Sequence, residues 1–187
     1  MIELKDTPVQ LNQQKGLSGD AVHSSSRSLQ HVAKIFEDQE ALKSMNPSQK
    51  VYEVSIYQPV SEGTEGGLFF GYTTIFPGQV GDEYFMTKGH FHKIMNRSEF
   101  YWGIRGEGVL LFMDEHRKAQ AEKMKPGSLH YIPGRVAHRT INVGHEPLFF
   151  GACWPSDAGH DYGTIMQDGF SARVKSIDGI PKIFETK

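Results

Sequence analysis

One cysteine in 187 residues, Cys153, excludes an intramolecular disulfide and fits a reducing compartment. No stretch approaches the run of about 20 apolar residues that a membrane span needs. Residues 1–16 alternate polar and apolar side chains and carry charges throughout, so a secretory leader is not expected and the cytoplasm is. Twenty Lys and Arg against 22 Asp and Glu leave a net charge of −2, without the basic footprint of a nucleic-acid partner. A Walker loop, an arginine cluster and a solenoid-length repeat are also missing. What the chain has instead is 20 glycines and 9 prolines spread along its length, the punctuation of many short strands joined by tight turns.

The strand readings are 52–57, 67–76, 83–88, 99–104, 109–113, 129–132, 138–143 and 148–154, separated by Pro77-Gly78, Gly81-Asp82, Arg105-Gly106, Pro126-Gly127, Pro133-Gly134 and Gly144. Such spacing favours a sandwich or barrel over βαβ units. One domain is expected at this length, burying roughly two-thirds of its unfolded surface. Within it, residues 1–50 read as an arm with a short helix and 51–187 as the barrel. The arm, 1–27, is polar with a Ser24-Ser25-Ser26 run. Residues 36–45 have a helical pattern, with Ile35, Phe36, Leu42 and Met45 on one face, ended by Asn46-Pro47. Residues 170–184 read as one or two edge strands.

Chemistry concentrates in His90, His92, Glu99 and His138. In an extended segment alternate side chains share a face, so His90 and His92 can address one ion. A helical zinc pair would be spaced near four residues, so this is no zincin. Three imidazoles and a carboxylate suit a divalent first-row metal with room for a further ligand. Glu99 and Tyr101 share a face, so a carboxylate and a phenol line the mouth of the barrel; Phe100 and Trp102 take the other, where Trp102 reads as packing. The other histidines, His23, His31, His116, His130 and His145, have no partner pattern and read as surface or structural residues.

Gly89-His90-Phe91-His92, Glu99 and Gly106 resemble the first metal-binding motif of the cupins; Gly127, Pro133, His138 and Asn142 resemble the second. Within that group the chain is most similar to the archaeal-type glucose-6-phosphate isomerases. The strings that carry the likeness are Thr87-Lys88-Gly89-His90-Phe91-His92, Ala137-His138-Arg139-Thr140 and Pro155-Ser156-Asp157-Ala158-Gly159-His160-Asp161-Tyr162-Gly163. It runs from about residue 52 to 163. Arg135 departs from it, standing where the general second motif has glycine. So does Trp154, where the archaeal enzymes carry a tyrosine near the substrate.

The resemblance implies an all-β, single cupin (jelly-roll) barrel, a homodimer, and interconversion of glucose 6-phosphate and fructose 6-phosphate in central sugar metabolism. It implies one divalent ion per subunit, Fe(II) first, with Mn(II), Ni(II) or Zn(II) acceptable to the same ligands. It assigns the phosphate to Tyr52, Thr73, Thr87, the Gly89 backbone and Tyr162, and gives Glu99 the role of base. Proton removal from C2 through a cis-enediolate and a hydride shift between carbons both remain open. His160 is expected to assist ring opening or orient hydroxyls, because imidazole titrates near neutrality. Competing readings are a cupin dioxygenase, a non-catalytic sugar-binding cupin, and an isomerase acting on mannose 6-phosphate.

Overall fold

The structure, a computed structural model, describes residues 1–186. Strands β1 (Gln10–Asn12) and β2 (Gly16–Ser18) form a small hairpin ahead of β3 (Val22–Ser28). Helix α1 (Leu29–Val32), a 3-10 turn over Ala33–Ile35 and helix α2 (Gln39–Lys43) follow. Then come β4 (Lys50–Tyr57), β5 (Leu68–Ile75), β6 (Gln79–Val80) and β7 (Glu83–Tyr84). The chain continues through β8 (Glu99–Arg105), β9 (Gly108–Asp114), β10 (Ala119–Met124), β11 (Leu129–Ile132), β12 (Val136–Asn142) and β13 (Leu148–Pro155). It closes with α3 (Gly163–Asp168), β14 (Ala172–Ile177) and β15 (Ile180–Glu185).

These strands make the all-β jelly-roll that the motifs implied. One sheet runs β11-β8-β13-β5-β4-β3, antiparallel throughout. The opposing layer is assembled from β10-β9-β12 and β15-β14-β7-β6, with residues 86–90 bridged onto β12 at Met86↔Ile141 and His90↔His138. Leu110, Leu111, Ile75, Phe85, Ile132, Ile141, Leu148 and Phe150 are almost wholly buried between the layers. Each such side chain contributes roughly 1.5–3 kcal/mol relative to exposure. Leu29, Val32, Ile35 and Phe36 join the same core, so the helical segment is packed onto the barrel.

Two neighbouring strands share the string Leu-Phe-Phe-Gly and use the glycine on opposite faces. Gly151 on β13 lies under the outer Trp102, where a Cβ would come within 2.3 Å of the indole. Gly71 on β5 lies under the inner Trp154, where a Cβ would come within 2.8 Å. Each large ring therefore has room only because its neighbour has no side chain. Trp102 also packs on Phe70 at 5.1 Å between ring centroids, as its packing reading required.

Three readings are corrected. Residues 22–28 are no loose arm: β3 pairs with β4 from Val22↔Tyr57 to Ser28↔Lys50, extending the main sheet. Its polar composition reflects an edge strand whose residues 23–26 are all exposed. The single helix expected over 36–45 is broken. Phe36 is extended because its ring packs on Phe85, the Glu37 N–H donates to Glu83 Oε2, and the Asp38 carboxylate restarts the helix by accepting from the Ala41 N–H at 2.8 Å. Residues 119–124, Ala-Gln-Ala-Glu-Lys-Met, carried no strand signal, yet β10 pairs with β9 in continuous register. Pairing with a hydrophobic neighbour outweighs weak intrinsic preference at an edge.

Candidate metal centre and adjoining cavity

The four metal-type side chains converge. One ligand atom from each of His90, His92, Glu99 and His138 lies within 4.8 Å of all the others. His90 and His92 come from the segment entering β8, Glu99 from the first residue of β8, and His138 from β12, held opposite His90 by reciprocal backbone hydrogen bonds. The Glu99 Oε1 is 2.6 Å from His138 Nε2 and 3.1 Å from His92 Nε2. His92 points Nδ1 at the Arg97 carbonyl, 2.7 Å away, which leaves Nε2 as the lone-pair nitrogen facing the cluster. His90 Nε2 and His138 Nδ1 are buried without a hydrogen-bond partner, and His138 Nε2 meets only the Glu99 carboxylate. Orphaned imidazole nitrogens around a carboxylate are costly unless a cation takes the lone pairs, so the donor set fits a divalent ion.

Electrostatics point the same way. Burial pushes His90 well below its ordinary range, and the neighbouring His138, His160 and His92 push it further, leaving the neutral form that a metal requires. Burial alone would raise the Glu99 carboxyl, but the His138 and His92 imidazoles outweigh it and bring it down to about 2. Burial, reinforced by Glu99, drives the Tyr101 phenol well up, so it stays protonated.

A cavity of about 230 Å³ opens beside the cluster. Its lining joins His90, Glu99 and His138 to Tyr101, Tyr52, Thr73, Thr87, Gly89 and Tyr162, with His160 and Trp154 in the same wall. Every residue that the sequence nominated outside the ligand set therefore lines one space with it. His92 alone faces the cluster from behind the wall, since it is buried and absent from the lining. Burial lifts the Tyr52 phenol to about 12, and Tyr162 nearby adds to it. His160 stacks on Tyr162 with ring centroids 5.6 Å apart and stands 4.4 Å from the His90 ring; burial lowers its affinity for a proton.

The third sequence string has a structural explanation beyond the two cavity residues in it. Backbone hydrogen bonds join Phe91 and Asp161 in both directions, and Ile94 N–H donates to the Ala158 carbonyl, so the string runs alongside the metal segment. Asp157 takes a fork from Arg97 at 2.6 and 2.8 Å, and the Arg97 carbonyl in turn orients His92. Asp161 accepts from Gly163 N–H and Thr164 Oγ1, at the start of α3. Asn142 of the second motif is a staple rather than a ligand: its amide donates to the Ile75 and Glu146 carbonyls. Arg135, where the general motif has glycine, takes that glycine's backbone with φ 65°.

Sequence reasoning missed several groups. Arg139 is buried, donates to the Lys88 carbonyl and lies 4.5 Å over the Phe170 ring; burial lowers it to about 9, with Arg173 adding to the effect. It pins residues 87–89, where Gly89 has φ +73° and its missing Cβ would meet the Phe170 ring at 2.6 Å. The Ala137-His138-Arg139-Thr140 string was the available signal. Ser25, Arg27 and Lys88 also line the cavity, and nothing local in the sequence marked Arg27. Of the remaining histidines, His130 is held between Ser128 Oγ at 2.8 Å and Glu122 Oε2 at 2.6 Å, outside the cavity, while Ser128 is itself bound to the Lys125 backbone in a turn.

Comparison with known proteins gives a consistent result. Residues 26–180 match the family model described as Glucose-6-phosphate isomerase (GPI). The chain is 40% identical over 171 residues to a glucose-6-phosphate isomerase of Thermococcus litoralis, covering 91% of this chain and 90% of that one. It is 43% identical over 160 residues to that of Thermococcus kodakarensis, with 85% and 84% covered. Among solved structures it is similar to a variant of Bacillus subtilis oxalate decarboxylase, at 21% identity and a TM-score of 0.47, over 64% of this chain and 30% of that one.

Proposed function

The chain belongs to the glucose-6-phosphate isomerase family, and from that premise we propose that it interconverts glucose 6-phosphate and fructose 6-phosphate with one divalent ion held by His90, His92, Glu99 and His138. The observation that carries this reading is the single cavity joining the metal-type cluster to a wall of hydroxyls and backbone donors. An ion bound there supplies Lewis-acid stabilisation for negative charge developing on the C1 and C2 oxygens. Fe(II) is our first choice by family resemblance, followed by Mn(II), Ni(II) and Zn(II).

In this proposal the protein's own groups divide the work. The hydroxyls of Tyr52, Thr73, Thr87 and Tyr162 and the Gly89 N–H hold the phosphate, a donor set suited to reversible binding. Gly89 serves because the backbone there approaches without a Cβ. His160, kept neutral by burial, takes or gives a proton during ring opening. Glu99 carries the proton between C2 and C1, its uncoordinated oxygen being the working atom. Tyr101, kept protonated, donates a hydrogen bond to the oxygen that gains charge. A carboxylate lining the cavity supports proton transfer through a cis-enediolate over a hydride shift. Solvent deuterium incorporated into product is its signature. We further take the chain to work as a homodimer in the cytoplasm, in glycolysis and gluconeogenesis.

The test is to strip the protein of metal and assay fructose 6-phosphate anaerobically before and after adding Fe(II), reading glucose 6-phosphate. Activity that appears only with metal and disappears in His92→Ala is the expected result. No turnover with any divalent ion, despite tight metal binding, overturns the assignment.

A further inference from the structure

A phosphate monoester carries a charge of about −1.5 to −2 at pH 7. Tyr52, Thr73, Thr87, Tyr162 and the Gly89 N–H are all neutral, so they can orient such a group without balancing it. The cavity lining includes an arginine that the motifs do not contain. Arg27 lies on β3 directly opposite Tyr52 on β4, and Ser25, two residues earlier on the same face, sits opposite Val54; all four line the cavity. The ladder shifts register between Arg27 and Ser28, a bulge that bends the strand and redirects the side chain at the point where it meets the cavity.

Arg27 is half-buried and has no carboxylate within ion-pair distance among the described residues. Its recorded hydrogen bond is from Nη1 to the Ser26 carbonyl at 2.9 Å, which leaves most of the guanidinium's donors unused. The acidic residue next to its strand partner, Glu53, is paired with Lys50 at 2.5 Å on the opposite face of β4. Tyr52 and Tyr162, the two phenols proposed to hold the phosphate, are both lowered by the Arg27 charge against the burial that raises them. A half-buried arginine without an anion, on the wall of a cavity that Lys88 also lines and whose hydroxyl and backbone donors are neutral, is an arginine placed for an anionic ligand.

We propose that Arg27, supplied by the N-terminal strand, is the charge partner of the substrate phosphate and the residue that makes the enzyme require a phosphorylated sugar. This rests on the isomerase reading above, which supplies the phosphate. Hydroxyl donors at Tyr52, Thr73 and Thr87 set the orientation, and the guanidinium fork supplies the charge-assisted part of the binding. The edge strand read as a loose polar arm thus completes the site.

The experiment compares metal-loaded wild type with Arg27→Met and Arg27→Lys in two assays: steady-state turnover of fructose 6-phosphate, and calorimetric titration with inorganic phosphate. Arg27→Met is expected to raise KM roughly 10- to 100-fold with kcat within about threefold, and to weaken inorganic phosphate by a similar factor. Arg27→Lys should recover part of both. Thermal midpoints close to wild type, read alongside, separate lost charge from lost folding; if Arg27→Met does not fold, Arg27→Lys against Arg27→Gln carries the comparison. Unchanged KM and unchanged phosphate binding overturn the proposal, as does a loss confined to kcat. Failure of the isomerase reading looks different: wild type itself shows no turnover, while the phosphate titration still decides the role of Arg27.

Discussion

The two groups of residues around the cavity, the metal-type set and the proposed phosphate donors, are built in different ways. The metal-type set consists of residues close in sequence plus one from the facing strand, locked by backbone pairing of residue 90 with 138 and by the Arg97–Asp157 fork behind His92. The residues proposed to hold the phosphate come singly from β3, β4 and β5, from 87–89 and from residue 162. The first group is a buried cluster of groups that need a cation; the second is a set of neutral donors with Arg27 and Lys88 in the same lining. Two kinds of ligand recognition thus sit in one space of about 230 Å³, and each should fail in its own way.

The largest effect should follow damage to the metal-type set. Replacing a ligand's outer partner typically costs 10- to 100-fold in metal affinity, so loss of a direct ligand, His138→Ala, should exceed about a hundredfold. Metal content after dialysis together with turnover measures it. Arg27→Met should leave metal content at the wild-type level. A variant of Arg27 that loses metal would break the division between the two groups.

Gly89→Ala is expected to injure metal and phosphate binding together, because Gly89 adjoins His90 in the chain and packs against the His138 carbonyl. A Cβ at φ +73° would meet the Phe170 ring at 2.6 Å and the His138 carbonyl at 3.0 Å. Left-handed strain costs about 1–2 kcal/mol and overpacking about 1–3 kcal/mol, so the thermal midpoint should fall and KM rise. A Gly89→Ala protein with wild-type KM would show that 87–89 plays no part in phosphate binding. The smallest effect is expected at Gly71→Ala, which pushes on Trp154 from 2.8 Å and moves the indole into the cavity. A severalfold rise in KM with unchanged metal content would place Trp154 at the substrate; an unchanged KM would make it wall only. The stability cost should be about 1 kcal/mol.

The metal ligands were legible because their spacing is itself the geometry: an extended backbone turns His90 and His92 to one face whatever surrounds them. The main strands were legible from their aromatic and β-branched content and their glycine turns. β10 was not, since Ala, Gln, Glu, Lys and Met favour no strand and only pairing with β9 makes one. The late start of the helix expected over 36–45 was hidden for a similar reason: Phe36 and Glu37 are kept out of it by contacts with Phe85 and Glu83, about 50 residues further along the chain.

The place of Asp157 in the third motif became clear only when Arg97, 60 residues away, was found in its grasp, holding the carbonyl that orients His92. Arg139 belonged to a motif whose letters gave no reason for an arginine; the reason is the Lys88 carbonyl and the Phe170 ring.

By itself, then, the sequence determined the fold class, the ion-binding set and the family, because each is written in local spacing or in short strings. The tertiary structure decided which neutral donors share a cavity with that set, what pins the 87–89 segment, and that a polar edge strand brings Arg27 into the lining of that cavity. Those facts depend on which strands lie side by side, and strand pairing over distant residues is set by burial across the whole core rather than by any window of the chain.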